Sequence, residues 1–216
     1  RDRLWGTALF LPVLPPAVRT GTQGEPSLDP RENVTADDDT MRRPLRFELH
    51  PGGVMSAEGS IDVGAAQRFA AEMDARGEYA KTLTLNSPGG SLDDAMAMAR
   101  LVRERGIATE VADGSLCASS CPLVLAGGVV RSVGEKAAVG LHQFYAATKG
   151  TSDPVQAMSD AQATAARIAR YLTEMDVDPA LWLHALDTPP QALYYLSADE
   201  MARYRLTTAG ATLASR

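Results

Sequence analysis

The chain has 216 residues, of which 45% are hydrophobic and 22% are charged, and its formal net charge is −6. This length and composition are typical of an ordinary globular protein with one domain that buries a sizeable core. The sequence contains no block or stripe of lysine and arginine, which argues against nucleic acid as a partner.

The N-terminal part differs from the rest of the chain. Residues 4–18 are apolar apart from Thr7 and are interrupted by prolines. The run is shorter than the roughly 20 residues that a membrane-spanning helix needs, and it fits a signal-peptide core better. We interpret residues 1–19 as a signal or anchor segment, with an apolar arm packed on the domain as the alternative. Residues 20–43, rich in Gly, Pro, Asp and Thr, are predicted to be an acidic disordered linker, and residues 44–212 the folded domain.

The domain opens with a predicted hairpin and a helix. Residues 45–49 alternate between apolar and polar, which is the period of a half-buried strand. A Pro-Gly-Gly turn at 51–53 joins them to a second strand over residues 54–61. Residues 63–76 have apolar side chains at helical spacing, and residues 82–85 form a short apolar strand.

Two turns with unusual compositions follow. Residues 86–90 read Asn-Ser-Pro-Gly-Gly, and Ser91 with Asp94 resembles a capping box at the start of the next helix. Residues 107–111 form another predicted strand, which leads to the Cys-Ala-Ser-Ser-Cys turn of residues 117–121.

The second half contains one further strand and three helices. Residues 138–141 are predicted to be a strand that delivers His142, and a long amphipathic helix is predicted over residues 154–175. A shorter helix covers residues 179–186, and residues 197–200 form a capping box before the last helix. Strands alternating with helices predict an α/β fold with mostly parallel strands, whose following turns gather at one edge as a site.

The glycine pair is a candidate oxyanion site. Gly89 and Gly90 can adopt backbone angles that are closed to other residues, and no side chain blocks approach to their N–H groups. The helix that begins at Ser91 adds positive partial charge. An ordinary strand-to-helix turn is the alternative.

Ser119 is the candidate nucleophile. It lies among small residues between a strand and an apolar helix, where its hydroxyl can share a space with the N–H group of Ser120. Serines before a helix are most often N-caps, and that alternative stays open for both residues.

His142 is the candidate base, because it ends a strand that should lie beside the serine turn. His50 and His184 are interpreted as structural or surface residues. Asp187 follows the shorter helix and is the candidate carboxylate that would orient the imidazole ring. A turn-forming role before two prolines is the alternative for Asp187.

Cys117 and Cys121 are the only cysteines. Together with His142 they could ligate a metal, and either could be a thiol nucleophile, but both signals are weak. The favoured interpretation is a local disulfide that stiffens the serine turn, which indicates an oxidising compartment.

Five segments carry a resemblance: Asn86-Ser87-Pro88-Gly89-Gly90, Cys117-Ala118-Ser119, Ala126-Gly127-Gly128, His142-Gln143, and Tyr195-Leu196-Ser197-Ala198 with Glu200. Together they resemble the Clp protease proteolytic subunit and its relatives in the ClpP/crotonase superfamily, over roughly residues 45–206. The resemblance implies a right-handed superhelix of β-β-α units and a homo-oligomer to which the long helix contributes.

The resemblance also implies a function and the residues that perform it. Ser119 would be the nucleophile, His142 the base, and Gly90 and Ser120 the backbone oxyanion donors, while Asp187 falls near the family's catalytic aspartate. The implied protein is a serine hydrolase of the peptidase type with a peptide or protein substrate and with no cofactor or metal. A non-catalytic ClpP-like scaffold that binds peptides is the alternative, followed by a crotonase-type acyl-CoA enzyme.

Two features differ from the cytosolic members of that superfamily. An apolar segment and an acidic linker replace the N-terminal docking segment, and cysteines flank the serine. The chain therefore resembles the exported or membrane-anchored bacterial members that are described as periplasmic protein-like. We expect a domain in the periplasm, or held at the membrane outside the cytoplasm through its N-terminus, and no ATPase partner if the protein is exported.

Overall fold

The computed structural model describes residues 30–144 and 153–208. The predicted signal or anchor segment and the predicted linker up to residue 29 lie outside the described residues. Within the described ranges, no helix is both long enough and apolar enough to cross a membrane.

Helices and strands alternate along the chain, as the sequence predicts. The strands are β1 (Arg46–His50), β2 (Val54–Glu58), β3 (Thr82–Asn86), β4 (Ala108–Val111), β5 (Leu116–Ala118), β6 (Arg131–Val133), β7 (Ala138–Leu141) and β8 (Tyr194–Tyr195). The helices are α1 (Asp38–Arg42), α2 (Ala65–Arg76), α3 (Leu92–Glu104), α4 (Cys121–Ala126), α5 (Pro154–Glu174), α6 (Trp182–Leu186) and α7 (Ala198–Arg203). Two 3₁₀ helices span Pro30–Asn33 and Pro179–Leu181.

The larger sheet has five strands in the order β1-β2-β3-β4-β6. Its first two strands form the predicted antiparallel hairpin, whereas the three other pairings are parallel. Parallel neighbours require crossover connections, which α2, α3 and α4 supply. The prediction of a mixed α/β fold with mostly parallel strands is therefore confirmed.

A second sheet of three strands, in the order β5-β7-β8, carries the predicted catalytic segments. β5 and β7 are parallel and align Ala118 with Gly140, while β7 and β8 are antiparallel. A parallel bridge between Ser87 and Cys117 joins the end of β3 to β5. The turns that follow β3, β5 and β7 therefore meet at one place, as parallel strands require.

Most buried apolar side chains form one core between the larger sheet and the helices. Every residue of α4 is buried, from Cys121 to Ala126. Tyr171 in α5 is also buried and donates a hydrogen bond of 2.6 Å to the carbonyl oxygen of Leu123. The helix that follows the serine turn is therefore fixed on all sides.

The two predicted capping boxes differ in outcome. Ser91 caps α3 by accepting from the N–H group of Asp94, and its hydroxyl donates to one carboxylate oxygen of Asp94. The box is incomplete because the N–H group of Ser91 donates to the carbonyl oxygen of Ile61 and not to Asp94. The other carboxylate oxygen of Asp94 accepts from the N–H groups of Gly64 at 3.1 Å and Ala66 at 3.0 Å, at the start of α2. The side chain of aspartate is one methylene shorter than the glutamate of a complete box. The box at the start of α7, where the residue is glutamate, is complete.

The ordered domain begins before the predicted end of the linker. Asp37 caps α1 with its carboxylate, and Met41 of that helix is 1% exposed. The N–H group of Thr35 donates to the carbonyl oxygen of Gly114 over 2.9 Å. Residues 30–43 are therefore part of the fold, although their acidic composition is typical of a linker.

Candidate active site

Ser119 lies at the corner between β5 and α4 in a left-handed backbone conformation. Its φ angle is 60°, a region that costs a non-glycine residue about 1–2 kcal/mol. Its N–H group donates to the carbonyl oxygen of Gly140 in β7 over 3.0 Å, which holds the corner against the neighbouring strand. Backbone strain that the surrounding structure maintains is characteristic of functional sites.

The glycine turn after β3 packs directly on this corner. A Cβ atom built on Gly89 would lie 2.7 Å from the Cβ atom of Ser119 and 2.8 Å from the backbone nitrogen of Ser120. A Cβ atom on Gly90 would lie 2.2 Å from the carbonyl oxygen of Ile61. The φ angles of the two glycines are 92° and 144°. Both space and conformation therefore require glycine here.

Backbone hydrogen bonds hold the glycine turn on two sides. On one side, Ile61 donates to the carbonyl oxygen of Gly89 at 2.9 Å and accepts from the N–H group of Ser91 at 2.6 Å. On the other side, the N–H group of Ala118 donates to the carbonyl oxygen of Ser87 at 3.0 Å. The turn is therefore fixed between the start of α2 and the serine corner.

The predicted oxyanion donors are the backbone N–H groups of Gly90 and Ser120. Within the two described ranges, neither group donates a hydrogen bond. Because a backbone N–H group is a strong donor, an unpaired pair beside a serine can stabilise negative charge on an oxygen atom.

The side chain of Ser120 does not cap α4, although the residue occupies the N-cap position. Its hydroxyl is fully buried and has no hydrogen-bond partner in the part of the chain that the structure describes. The N-cap alternative therefore holds for the position of Ser120 but not for its side chain. A buried hydroxyl without a partner is unfavourable by about 1–3 kcal/mol, and the structure shows no compensation for it.

His142 follows β7, two residues after the Gly140 that pairs with Ala118. The Nδ1 atom of its ring lies 3.1 Å from the carbonyl oxygen of Pro190. Burial lowers the pKa of His142, and the hydrogen bond to Pro190 opposes this only in part. The ring is therefore neutral at pH 7, which is the form that can accept a proton. Within the described residues no hydrogen bond joins the side chains of Ser119 and His142.

Asp187 lies at the C-cap of α6, where its N–H group donates to the carbonyl oxygen of Leu183 at 3.0 Å. Its side chain is exposed. Its carboxylate makes no hydrogen bond or ion pair with His142 or with any other described residue. Its assignment as the third catalytic residue remains a prediction.

The sequence interpretation missed the contact between residue 143 and the segment after α6. The N–H group of Gln143 donates to the carbonyl oxygen of Thr188 at 2.9 Å, and its side-chain Nε2 donates to that of Leu186 at 2.6 Å. The hydroxyl of Thr188 in turn donates to the carbonyl oxygen of His184 at 2.7 Å. Carbonyl acceptors exist at every residue, so no sequence motif marks them. In the sequence, Gln143 directly after His142 is the feature that could have indicated this contact.

The two cysteines bracket the serine corner. Cys117 and Cys121 are joined by a disulfide with an S–S distance of 2.00 Å and a Cα–Cα distance of 5.2 Å. The prediction of a local disulfide is confirmed by this geometry. Both residues are fully buried, and joined sulfur atoms act neither as a nucleophilic thiolate nor as metal ligands.

The other two histidines have structural partners. The Nε2 atom of His50 lies 3.0 Å from the hydroxyl oxygen of Ser56. The ring of His184 stacks on Tyr194 at 4.2 Å, and its Nε2 atom lies 3.0 Å from the hydroxyl oxygen of Tyr204. These contacts agree with the interpretation of both as structural residues.

A cleft of about 790 Å³ opens beside Gly90. It is lined by apolar side chains of α3, α5 and α6, and Phe144 stacks on Trp182 in its wall with ring centroids 5.4 Å apart. Two carboxylates, Asp93 and Asp160, also border it. Concave apolar surface beside polar reactive groups is the usual form of a substrate site.

Among the described residues, no group of three or more His, Cys, Asp or Glu side chains could hold a metal ion. No protein-family model matches this chain, and no curated protein sequence matches it.

Proposed function

We propose that the protein is a serine hydrolase of the peptidase type, with Ser119 as the nucleophile. The observation that carries this proposal is the close approach of Gly89 to the left-handed serine corner. If Gly89 carried a Cβ atom, that atom would lie only 2.7 Å from the Cβ atom of Ser119. Together with the unpaired N–H groups of Gly90 and Ser120, this contact combines a nucleophile with oxyanion donors.

The reaction uses the neutral ring of His142. The Nε2 atom accepts the proton of the Ser119 hydroxyl as its oxygen attacks a carbonyl carbon of the substrate. The N–H groups of Gly90 and Ser120 stabilise the oxyanion that forms. The imidazolium then gives the proton to the leaving amine, and a water molecule hydrolyses the acyl-enzyme by the same sequence of steps.

The cleft beside Gly90 supports a substrate with an apolar side chain. Its stacked Phe144 and Trp182 and its alanine-rich wall along α5 are apolar, and the two carboxylates at its border, Asp93 and Asp160, are exposed. An apolar side chain of a peptide would bury there at a gain of about 25 cal/mol per Å². A peptide with an apolar side chain is thus favoured over a small anionic ester.

A non-catalytic scaffold is the second candidate. It is favoured by one observation, which is that the side chains of Ser119 and His142 make no hydrogen bond with each other. Free serine enzymes often tighten this contact only when substrate binds. Peptide binding without turnover that survives Ser119→Ala would favour the scaffold.

The proposal extends to assembly and location. The first half of α5 is exposed on every side, including Val155 at 75% and Met158 at 65%. No described residue covers this part of the helix, and exposed apolar side chains favour burial against a partner. We propose that a second copy of this chain covers it, because the resemblance implies a homo-oligomer to which the long helix contributes. The ClpP/crotonase-like superhelix and the periplasmic or membrane-anchored location are proposed on the resemblance and on the disulfide.

The experiment is labelling with a fluorophosphonate probe. We expect the protein to be labelled at Ser119 and the Ser119→Ala variant to remain unlabelled. Ser56→Ala, a matched change in β2 at a hydroxyl whose hydrogen-bond partners are His50 and a strand carbonyl, should label like the wild type. Equal labelling of all three proteins, or of none of them, would contradict the proposal.

A further inference from the structure

We propose that the main-chain carbonyl of Pro190, and not a carboxylate, orients His142 in the catalytic site. The proposal rests on the proposed function of Ser119 and His142. It assigns the Pro190 carbonyl as a positioning group and removes Asp187 from the reaction.

The first support is the geometry of the segment after α6. The carbonyl oxygens of Leu186, Thr188 and Pro190 all accept from residues 142–143, at 2.6, 2.9 and 3.1 Å. Asp187 lies between the first two carbonyls, and its side chain is exposed. The backbone of residues 186–190 therefore faces His142 and Gln143, with the Pro190 carbonyl at the base, while the Asp187 carboxylate is exposed.

The second support is how the segment is anchored. Thr188 is 2% exposed, and its hydroxyl donates to the carbonyl oxygen of His184. Its N–H group donates to the carbonyl oxygen of Ala185 at 3.1 Å. Thr188 therefore ties the segment to α6 from inside, which holds the Pro190 carbonyl in place.

The consequence for His142 follows from the acceptor. A carbonyl oxygen has only lone pairs, so the Nδ1 atom that contacts it carries the hydrogen, and the lone pair of neutral imidazole is on Nε2. The proton of Ser119 moves to Nε2, the Nδ1–H group keeps its bond to Pro190, and the proton leaves from Nε2 to the amine. A carbonyl carries no net charge, so the imidazolium gains less stabilisation than a carboxylate would provide.

The decisive experiment is ¹⁵N NMR of histidine-labelled protein across a pH series, with His142 assigned by its absence in His142→Asn. We expect the Nδ1–H tautomer and a titration midpoint below the ordinary value of 6.5. Asp187→Asn should leave both unchanged. Thr188→Val should raise the fraction of the Nε2–H tautomer, and Thr188→Ser, which keeps the hydroxyl, should restore the wild-type ratio.

Two NMR results would overturn the proposal. One is a midpoint that Asp187→Asn lowers by a full pH unit or more, as expected for a carboxylate partner. The other is a tautomer ratio that Thr188→Val leaves unaltered. Because these measurements need no activity, a protein that fails to label at Ser119 still tests the role of Pro190.

Kinetics provide a second arm. We expect kcat of Asp187→Asn to stay within about threefold of wild type, as for Asp199→Asn, a matched loss of an exposed carboxylate in α7. A catalytic aspartate would cost about 10⁴-fold in kcat, and a loss of that order confined to Asp187→Asn would contradict the proposal.

Discussion

Gly89 shows how closely the backbone of one turn approaches the backbone of another at this site. Its φ angle of 92° is open to glycine, and a Cβ atom there would lie 2.5 Å from the carbonyl oxygen of Ala118. The serine corner is held in place, because the N–H group of Ala118 donates to the carbonyl oxygen of Ser87 and that of Ser119 donates to the carbonyl oxygen of Gly140. The absent side chain therefore sets the distance between the nucleophile and the N–H groups around it.

We expect Gly89→Ala to lower the free energy of unfolding by about 2–3 kcal/mol and to abolish labelling of Ser119. The matched control is Gly52→Ala, where φ is 85° but nothing lies within 4 Å of the built Cβ atom. In that variant the free energy of unfolding should fall by only about 1 kcal/mol, which is the conformational cost of a positive φ angle, and Ser119 should be labelled normally. Urea unfolding and probe labelling measure both effects, and equal losses in the two variants would disprove the packing argument.

At the scale of elements, α4 is the helix that presents the serine corner, and α3 fixes its opposite end. Arg103 of α3 donates to the carbonyl oxygens of Ala126, Gly127 and Gly128 at 3.0, 2.8 and 3.1 Å. It also donates to the carbonyl oxygen of Met175 at the end of α5. A positively charged side chain at a helix C-terminus is favoured by the helix dipole. Through these hydrogen bonds Arg103 joins α3 to the C-terminal ends of α4 and α5.

Arg103→Lys should therefore reduce the free energy of unfolding by about 2–4 kcal/mol, since lysine lacks the planar fork that reaches several carbonyls. Arg100→Lys on the same helix is the matched control. Arg100 pairs with Glu174 at the surface, with both side chains 50% exposed, and such a pair contributes about 0–1 kcal/mol. Thermal or urea unfolding would show the difference, and comparable losses would refute the role of Arg103.

At the scale of the whole molecule, the site lies where two sheets meet, and one long helix extends beyond the core. The C-terminal half of α5 is anchored by buried residues such as Ile168, Tyr171 and Leu172. Its N-terminal half has no buried residue. The described chain therefore presents a helical surface that its own core does not cover, next to the cleft at Gly90.

We expect the wild-type protein to be a homo-oligomer and the double variant Val155→Glu/Met158→Glu to have a smaller mass by light scattering. New carboxylates would be buried without partners in the interface, at a cost of several kcal/mol. Val63→Glu is the control, since Val63 is 89% exposed and lies outside α5. A monomeric wild type, or a mass that the double variant leaves unchanged, would rule out this interface.

The sequence by itself determined the hairpin of β1 and β2, the strands β3, β4 and β7, the helices after α1, the disulfide pair and the glycine and serine turns, but it did not predict α1, β5, β6 or β8. These depend on local signals, namely periodicity, turn residues and spacing, which act over a few neighbouring positions. The prediction of a disordered linker was wrong for residues 30–43, because the burial of Met41 depends on contacts with distant parts of the chain.

Only the tertiary structure decided how the turns of residues 86–90 and 117–121 come together and which group His142 contacts. Sequence pattern pointed to a carboxylate at Asp187, whereas the fold places the carbonyl of Pro190 at Nδ1. Every residue has a carbonyl, so its use depends on chain direction and packing, which a side-chain pattern does not encode. The same reason explains why Gly89 could be recognised as a turn residue from the sequence, while its contact with Ser119 could not.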